Sequence, residues 1–201
     1  MTEAAEGGDR VRIVPLTPAH WDAAAGLFGE GGDPKTCWCM FWRLRSKEWS
    51  MGNAREVREG LHRLVDEDRD PAPGLLALRG DRAVGWVSLG PRSDFGRLEH
   101  SRVRPRLDDL DVWSIVCFVV SKTERGRGLT TELLEAATGY AIDHGAPGLE
   151  AYPVDPGGGR VPAALGYTGL LSTFEAAGFK AVREIDSPQA TVRRVIVRRE
   201  V

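Results

Sequence analysis

Cysteine is scarce in this 201-residue chain: Cys37, Cys39 and Cys117 are the whole set. An odd, small number without a secretory pattern argues against a disulfide framework. Cys37-x-Cys39 offers two metal ligands, and His20, His62, His100 and His144 stand at no spacing that completes a four-ligand zinc site, so no metal is expected. Charge of one sign is lacking too. With 27 Lys and Arg against 29 Asp and Glu, the formal net charge is −2. No broad field therefore draws the chain to nucleic acid or to an anionic membrane. No apolar run approaches the ~20 residues that span a bilayer. The opening residues Met1 to Arg10 lack the basic-then-apolar layout of a signal peptide. They read as a flexible leader over residues 1–10, with a single domain over 11–201 and a cytoplasmic location as the expectation. Nucleotide motifs are missing as well: no Gly-Lys-Ser or Gly-Lys-Thr occurs, and a G-x-G-x-x-G reading would end on Thr131.

What is present is a well-patterned globular chain, 42% hydrophobic and 28% charged. Residues 11–16 alternate as a half-buried strand, and Thr17-Pro18 opens a helix that runs through Trp21, Ala24, Ala25 and Phe28. Asn53 caps a second helix with Val57, Leu61, Leu64 and Val65 on one face. Two strand-like runs, 75–78 and 84–89, flank a turn at Gly80-Asp81 and read as a hairpin. A short helix is expected near Asp94 to Leu98. Trp113 to Val120 is the most apolar strand and belongs at the sheet centre. A helix follows to His144, then a strand over 149–153, a helix over 168–177 and two closing strands near 180–185 and 191–198. The order β-α-α-β-β-β-α-β-α-β-β specifies an α/β fold, a mixed sheet with helices on both faces.

The most informative segment is Val119-Val120-Ser121-Lys122-Thr123-Glu124-Arg125-Gly126-Arg127-Gly128-Leu129-Thr130-Thr131. A β-branched strand ends in a turn with two glycines and hands over to a strongly helical stretch. Such a turn directs several backbone N–H groups, with the positive end of a helix behind them, at one point. That point suits a phosphate or diphosphate. The pattern R-x-x-G-x-[GA] appears as Arg125-x-x-Gly128-x-Thr130, with Thr130 in place of the usual small residue.

This turn resembles that of the GNAT superfamily of acetyl-CoA-dependent N-acyltransferases. Gly85-Trp86-Val87 and Phe174-Glu175-Ala176-Ala177-Gly178-Phe179 resemble two further phrases of that family in the right order, so the likeness spans nearly the whole chain. It implies acetyl-CoA as co-substrate. Phe118, Val119 and Val120 would meet its pantetheine arm, and Arg125, Gly126, Arg127, Gly128, Leu129 and Thr130 its diphosphate. It also implies direct attack of a neutral amine on the thioester, with backbone N–H groups holding the oxyanion.

Two departures stand out. The family's usual acid is a tyrosine, and Phe174 occupies the matching position; the glutamate frequent in lysine-acetylating members is replaced by Ser114, eleven residues before Arg125. Glu150 is the first substitute base, with Asp111 and Asp155 behind it; a solvated or ion-paired carboxylate is the alternative for each. Those departures also leave open a non-catalytic acyl-CoA-binding sensor or scaffold.

Thr36-Cys37-Trp38-Cys39-Met40-Phe41-Trp42-Arg43 is unusually aromatic for a connection. Trp38, Phe41, Trp42 and Tyr152 are candidates for the wall of an acceptor pocket, and a local core or a homodimer contact explains such a cluster equally well. An apolar wall suits a small-molecule amine. The phrase resembles one found in a group of bacterial members of the superfamily and leaves the acceptor open.

Overall fold

The computed structural model describes residues 10–30, 34–49, 53–162, 164–186 and 191–201. All of the expected leader except Arg10 lies outside the described residues. Strand β1 (Val11–Pro15) is followed by a 3-10 turn over Pro18–His20 and by α1 (Trp21–Gly29), whose Trp21, Ala24, Leu27 and Phe28 are buried. A short helix, α2 (Pro34–Cys37), falls in the stretch read from sequence as a loop. Helix α3 (Ala54–Asp66) begins where the Asn53 side chain accepts the Glu56 N–H at 3.1 Å, and its Val57, Leu61 and Val65 face inward.

Strands β2 (Gly74–Arg79) and β3 (Arg82–Pro91) form the hairpin. The short helix expected near Asp94 is split into a 3-10 turn, Arg92–Asp94, and α4 (Gly96–Glu99). Then come β4 (Trp113–Val120), a 3-10 turn (Lys122–Glu124) and α5 (Leu129–Asp143). The rest is β5 (Gly148–Ala151), β6 (Val154–Asp155), a 3-10 turn (Gly166–Thr168), α6 (Leu171–Ala176), β7 (Lys180–Glu184) and β8 (Arg193–Glu200). Strand β6 was not foreseen, because two residues between Pro153 and Pro156 carry no periodicity.

The eight strands make one mixed sheet in the order β1-β2-β3-β4-β5-β8-β6, with β7 on β8. Among the strands of the described residues, β4 and β5 pair in parallel, joined by the α5 crossover, and the other strand pairs are antiparallel. One sheet face packs on α1 and α3, the other on α5 and α6. Gly85 lets α5 lie close on β3: a Cβ there would sit 3.0 Å from the side chains of Leu129 and Leu133.

Two irregularities in β4 position the site. Its register against β3 steps from Ser88↔Cys117 to Leu89↔Ile115, so Val116 is an extra, bulged residue. Val116 and Cys117 consequently both face the α1 side, while Ile115 and Phe118 face α5. On the other edge, pairing with β5 stops at Ile115↔Ala151, and the chain leaves through Tyr152-Pro153 to pair with β8 instead. Among the described residues, the last five of β4, 116–120, thus have no strand beside them on that edge.

Candidate functional site

The gap beyond Ile115 opens into a cleft of about 770 Å³. One wall is Phe118, Val119 and Val120; the floor is Gly166, Tyr167 and Leu170, carried back beneath β4 by the 3-10 turn. Its mouth carries Lys122, Arg125, Thr130 and Arg160. Here the turn supplies what a diphosphate needs. Among the described residues, the N–H groups of 125–130 donate to no backbone carbonyl; the first donor of α5 bonded within the chain is Thr131, to the Gly128 carbonyl at 2.8 Å. Gly126 and Gly128 have φ of +75° and +86°, which explains glycine there. A Cβ on either would meet open space, so conformation rather than crowding demands the glycines. Arg125 donates from Nε to the Val120 carbonyl at 3.3 Å, which ties the turn to the end of the strand. A diphosphate fits this cradle of free amides beside cationic side chains.

A second, smaller cavity of about 280 Å³ adjoins the first. Phe118, Val119, Ala164 and Tyr167 line both. Its remaining walls are Thr36, Cys37, Cys39, Phe41, Trp42, Trp49 and Cys117, with no carboxylate among them. Phe41 meets Trp42 and Trp49 edge-on, at centroid distances of 5.2 and 5.3 Å. Of the four residues expected to line an acceptor pocket, Phe41 and Trp42 are on this wall. The other two stand elsewhere. Trp38 adopts φ +44°, which turns its ring inward against Trp21 and Phe28, with Nε1 donating to the Lys35 carbonyl. Tyr152 is fully buried behind Trp42, its ring stacked on the indole at 6.2 Å.

Glu150 is likewise sealed in, 1% exposed and absent from both cavity walls. Its Oε1 accepts from Arg198 at 2.7 Å, and its Oε2 from Arg92 and from the Tyr152 hydroxyl, each at 3.3 Å. Arg92 Nη1 also donates to the Tyr152 oxygen at 2.7 Å, and the Ser114 hydroxyl lies 3.2 Å from it. The carboxylate is therefore a partner for two guanidinium groups, turned away from any space an amine could enter. The expected base at Glu150 thus stands apart from both cavities. The alternation of a strand paired on both edges does not reveal which polar residue is locked inside.

Cys39 and Cys117 touch, Sγ to Sγ at 3.3 Å, and Trp86 Nε1 points at the Cys39 sulfur at 3.1 Å. The Cys117 contact, with burial, pushes the Cys39 thiol well above its ordinary range, which disfavours a nucleophilic thiolate there. Among the described residues no group of three or more His, Cys, Asp or Glu is placed to hold a metal.

A family model described as acetyltransferase (GNAT) family matches residues 36–157, over half of the chain. The chain belongs to the GNAT acetyltransferase family. It is an acetyl-CoA-dependent N-acetyltransferase, and the gap, the bulge and the amide turn are where this GNAT chain would hold its co-substrate. No curated protein matches it in sequence. Solved structures resemble it in fold. A polyamine N-acetyltransferase of Drosophila melanogaster aligns with a TM-score of 0.56 at 12% identity, over 96% of this chain and 100% of that one. The GNAT domain of S. lividans PAT aligns at 0.55 and 17%, over 95% and 90%. A chain of the NatC complex bound to Gag peptide and CoA aligns at 0.55 and 11%, over 96% and 99%.

Within this GNAT fold the position of the usual tyrosine is core. Phe174 is fully buried against Phe118, Phe179 and Gly169, where a Cβ would come within 2.7 Å of its ring. Tyr167 is the phenol that reaches the junction of the two cavities. Burial pushes its pKa above the usual range, partly opposed by Arg194 and Arg104. A 3-10 turn seven residues before Phe174 gives Tyr167 no positional match to the family's tyrosine.

Proposed function

We propose that this GNAT enzyme transfers the acetyl group of acetyl-CoA to a primary amine of a small molecule held in the 280 Å³ cavity, with Tyr167 as proton donor. The observation that carries this reading is the shared wall: Tyr167, Phe118, Val119 and Ala164 belong both to the cleft and to the apolar cavity. A thioester lying along 118–120 would thus present its carbonyl to an amine arriving from the Trp42 side. Main-chain amides of the β4 edge beyond Ile115 would meet the oxyanion as it develops. The amine attacks the thioester carbon, the C–S bond breaks, the phenol of Tyr167 gives its proton to the departing sulfur, and the nitrogen loses one to solvent. A phenol kept protonated by burial suits that donor role.

The cavity is small for a ligand site, below the roughly 300–1,000 Å³ of typical drug-sized sites, and rings make up much of its wall. That favours a compact amine with apolar bulk over an extended polypeptide tail. Amine-dependent release of free thiol from acetyl-CoA, followed over a panel of small apolar amines and a lysine peptide, tests the reading. Release with the small amines is the expected result. Release only with the peptide overturns the acceptor class. Coenzyme binding without release from any amine would favour a non-catalytic acyl-CoA sensor.

A further inference from the structure

The phenol of Tyr167 sits on the 3-10 turn Gly166–Thr168, and one side chain of a distant strand clamps that turn. Arg194 of β8 donates from Nη2 to the Leu165 carbonyl at 2.8 Å and from Nη1 to the Thr168 hydroxyl. The two bonds fall on either side of Tyr167, and the guanidinium lies 5.6 Å from the centroid of its ring. Arg194 lines neither cavity, so its effect on the reaction has to pass through this turn. A planar guanidinium suits such a clamp, because its terminal nitrogens reach separate acceptors while its face stays available to a ring. The main chain braces the same segment. Val154 of β6 pairs with Arg194 and also bridges to Leu170, and its N–H donates to the Gly169 carbonyl at 3.0 Å. Strand β8 therefore grips the turn twice, through β6 and through this side chain.

The charge of Arg194 has no carboxylate to answer it. Among the described residues Arg194 forms no ion pair, whereas its neighbour Arg193 has Asp155 and Glu184, and Arg198 on the same strand has Glu150 and Asp108. The phenol feels that charge. Burial pushes the Tyr167 pKa up, and Arg194 opposes the rise more than any other charged group. The other groups facing the phenol are Arg104, which acts in the same sense, the Cys117 and Cys37 thiols, which act against it, and Arg97 from α4.

We propose that Arg194 is a positioning residue for the proton transfer. It fixes the turn so that the Tyr167 hydroxyl meets the departing sulfur, and its positive charge stabilises the phenolate left behind. The O–H bond breaks, an S–H bond forms on coenzyme A, and solvent returns a proton to the phenolate before the next turnover. This inference rests on Tyr167 being the donor, but the hold of Arg194 on the phenol can be measured apart from turnover.

The chain has three tyrosines, so the full chain labelled with 3-fluorotyrosine gives three fluorine NMR signals, and Tyr167→Phe identifies the one of interest. The titration runs through the alkaline range with coenzyme A present. Tyr167 in Arg194→Met should ionise at least about 0.5 pH unit higher than in the unmodified chain. Arg194→Lys, which restores the charge without the fork, should recover most of that shift, and Arg193→Met should keep the unmodified midpoint. In thiol release from acetyl-CoA, Arg194→Met should lower kcat about tenfold with KM for acetyl-CoA little changed. In the Tyr167→Phe background the same substitution should lower kcat by less than about twofold, because the group it acts through is gone. If Arg194→Met does not fold, Arg194→Gln, which keeps a donor for the Leu165 carbonyl and removes the charge, carries the same expectations. An unmoved Tyr167 midpoint overturns the inference, as does an equal loss of kcat with and without the phenol, which marks a structural effect alone. An unchanged kcat in Tyr167→Phe is a different failure: it removes the phenol from the reaction, and Arg194 with it, even where the midpoint moves.

Discussion

The Tyr152 ring stacks on the Trp42 indole with centroids 6.2 Å apart and planes 24° from parallel. That contact joins the cavity wall to the buried cluster of Glu150, Arg92, Arg198 and Ser114 behind it. The cluster is a support for the site, since Arg92 bonds at once to Glu150, to the Tyr152 hydroxyl and to the main chain at Leu98 and Arg104.

Glu150→Gln follows from that role. Removing this buried charge takes one of two carboxylates from each guanidinium, leaving Glu99 with Arg92 and Asp108 with Arg198, at a cost of roughly 1–3 kcal/mol. The expected result is a clear fall in melting temperature, with KM for the acceptor raised and the pH dependence of kcat preserved. A base at this position would instead reveal itself by loss of a limb in the pH–rate profile.

Tyr167→Phe should lower kcat by about 10²-fold, the contribution of a positioned proton donor, with little change in KM for acetyl-CoA. The donor must be protonated, and burial raises its pKa above the ordinary tyrosine value near 10. Activity of the unmodified enzyme should therefore decline only as pH passes above about 10, and the variant should lack that decline. An unchanged kcat in Tyr167→Phe would remove the phenol from the reaction.

Gly128→Ala places a side chain at φ +86° with space around it but strain in the backbone. About 1 kcal/mol of destabilisation is expected from the left-handed conformation. The turn should also relax away from its cradle, so KM for acetyl-CoA rises while KM for the acceptor changes less. Initial-rate measurements with each substrate varied separate the two.

His144, just past the end of α5, has Nδ1 2.7 Å from the Tyr140 carbonyl and Nε2 2.8 Å from Asp70 Oδ1. Both partners are acceptors, so the doubly protonated ring is favoured and its pKa is raised, first by the carbonyl and then by Asp70. The stabilisation is complete below the unfolded value near 6.5 and disappears as pH rises through the higher folded value. His144→Ala should therefore destabilise the fold more at pH 6 than at pH 8.5, read by chemical denaturation.

Much of the fold was legible because its signals are local. Trp113 to Val120 is β-branched and apolar throughout, Asn53 caps α3, and Gly126 and Gly128 mark the turn into α5. The site was less legible, because it depends on where distant segments meet. The β4 bulge at Val116 leaves no mark in an unbroken apolar run. Trp38 and Trp42 look alike in sequence, and only the left-handed backbone at Trp38 and Cys39 sends one ring into the core and leaves the other on the wall. Tyr167 reaches the cavity through a 3-10 turn, whose position in the chain gives no sign of what it will line.

The central claim is that free main-chain amides at the β4–α5 turn hold the diphosphate of coenzyme A. The amide NMR spectrum of the isotopically labelled chain, recorded as coenzyme A is added, tests it most directly. The N–H signals of residues 125–130 should shift most, alongside those of 118–120. Saturating coenzyme A that leaves the 125–130 signals in place, or moves only signals elsewhere, would contradict it.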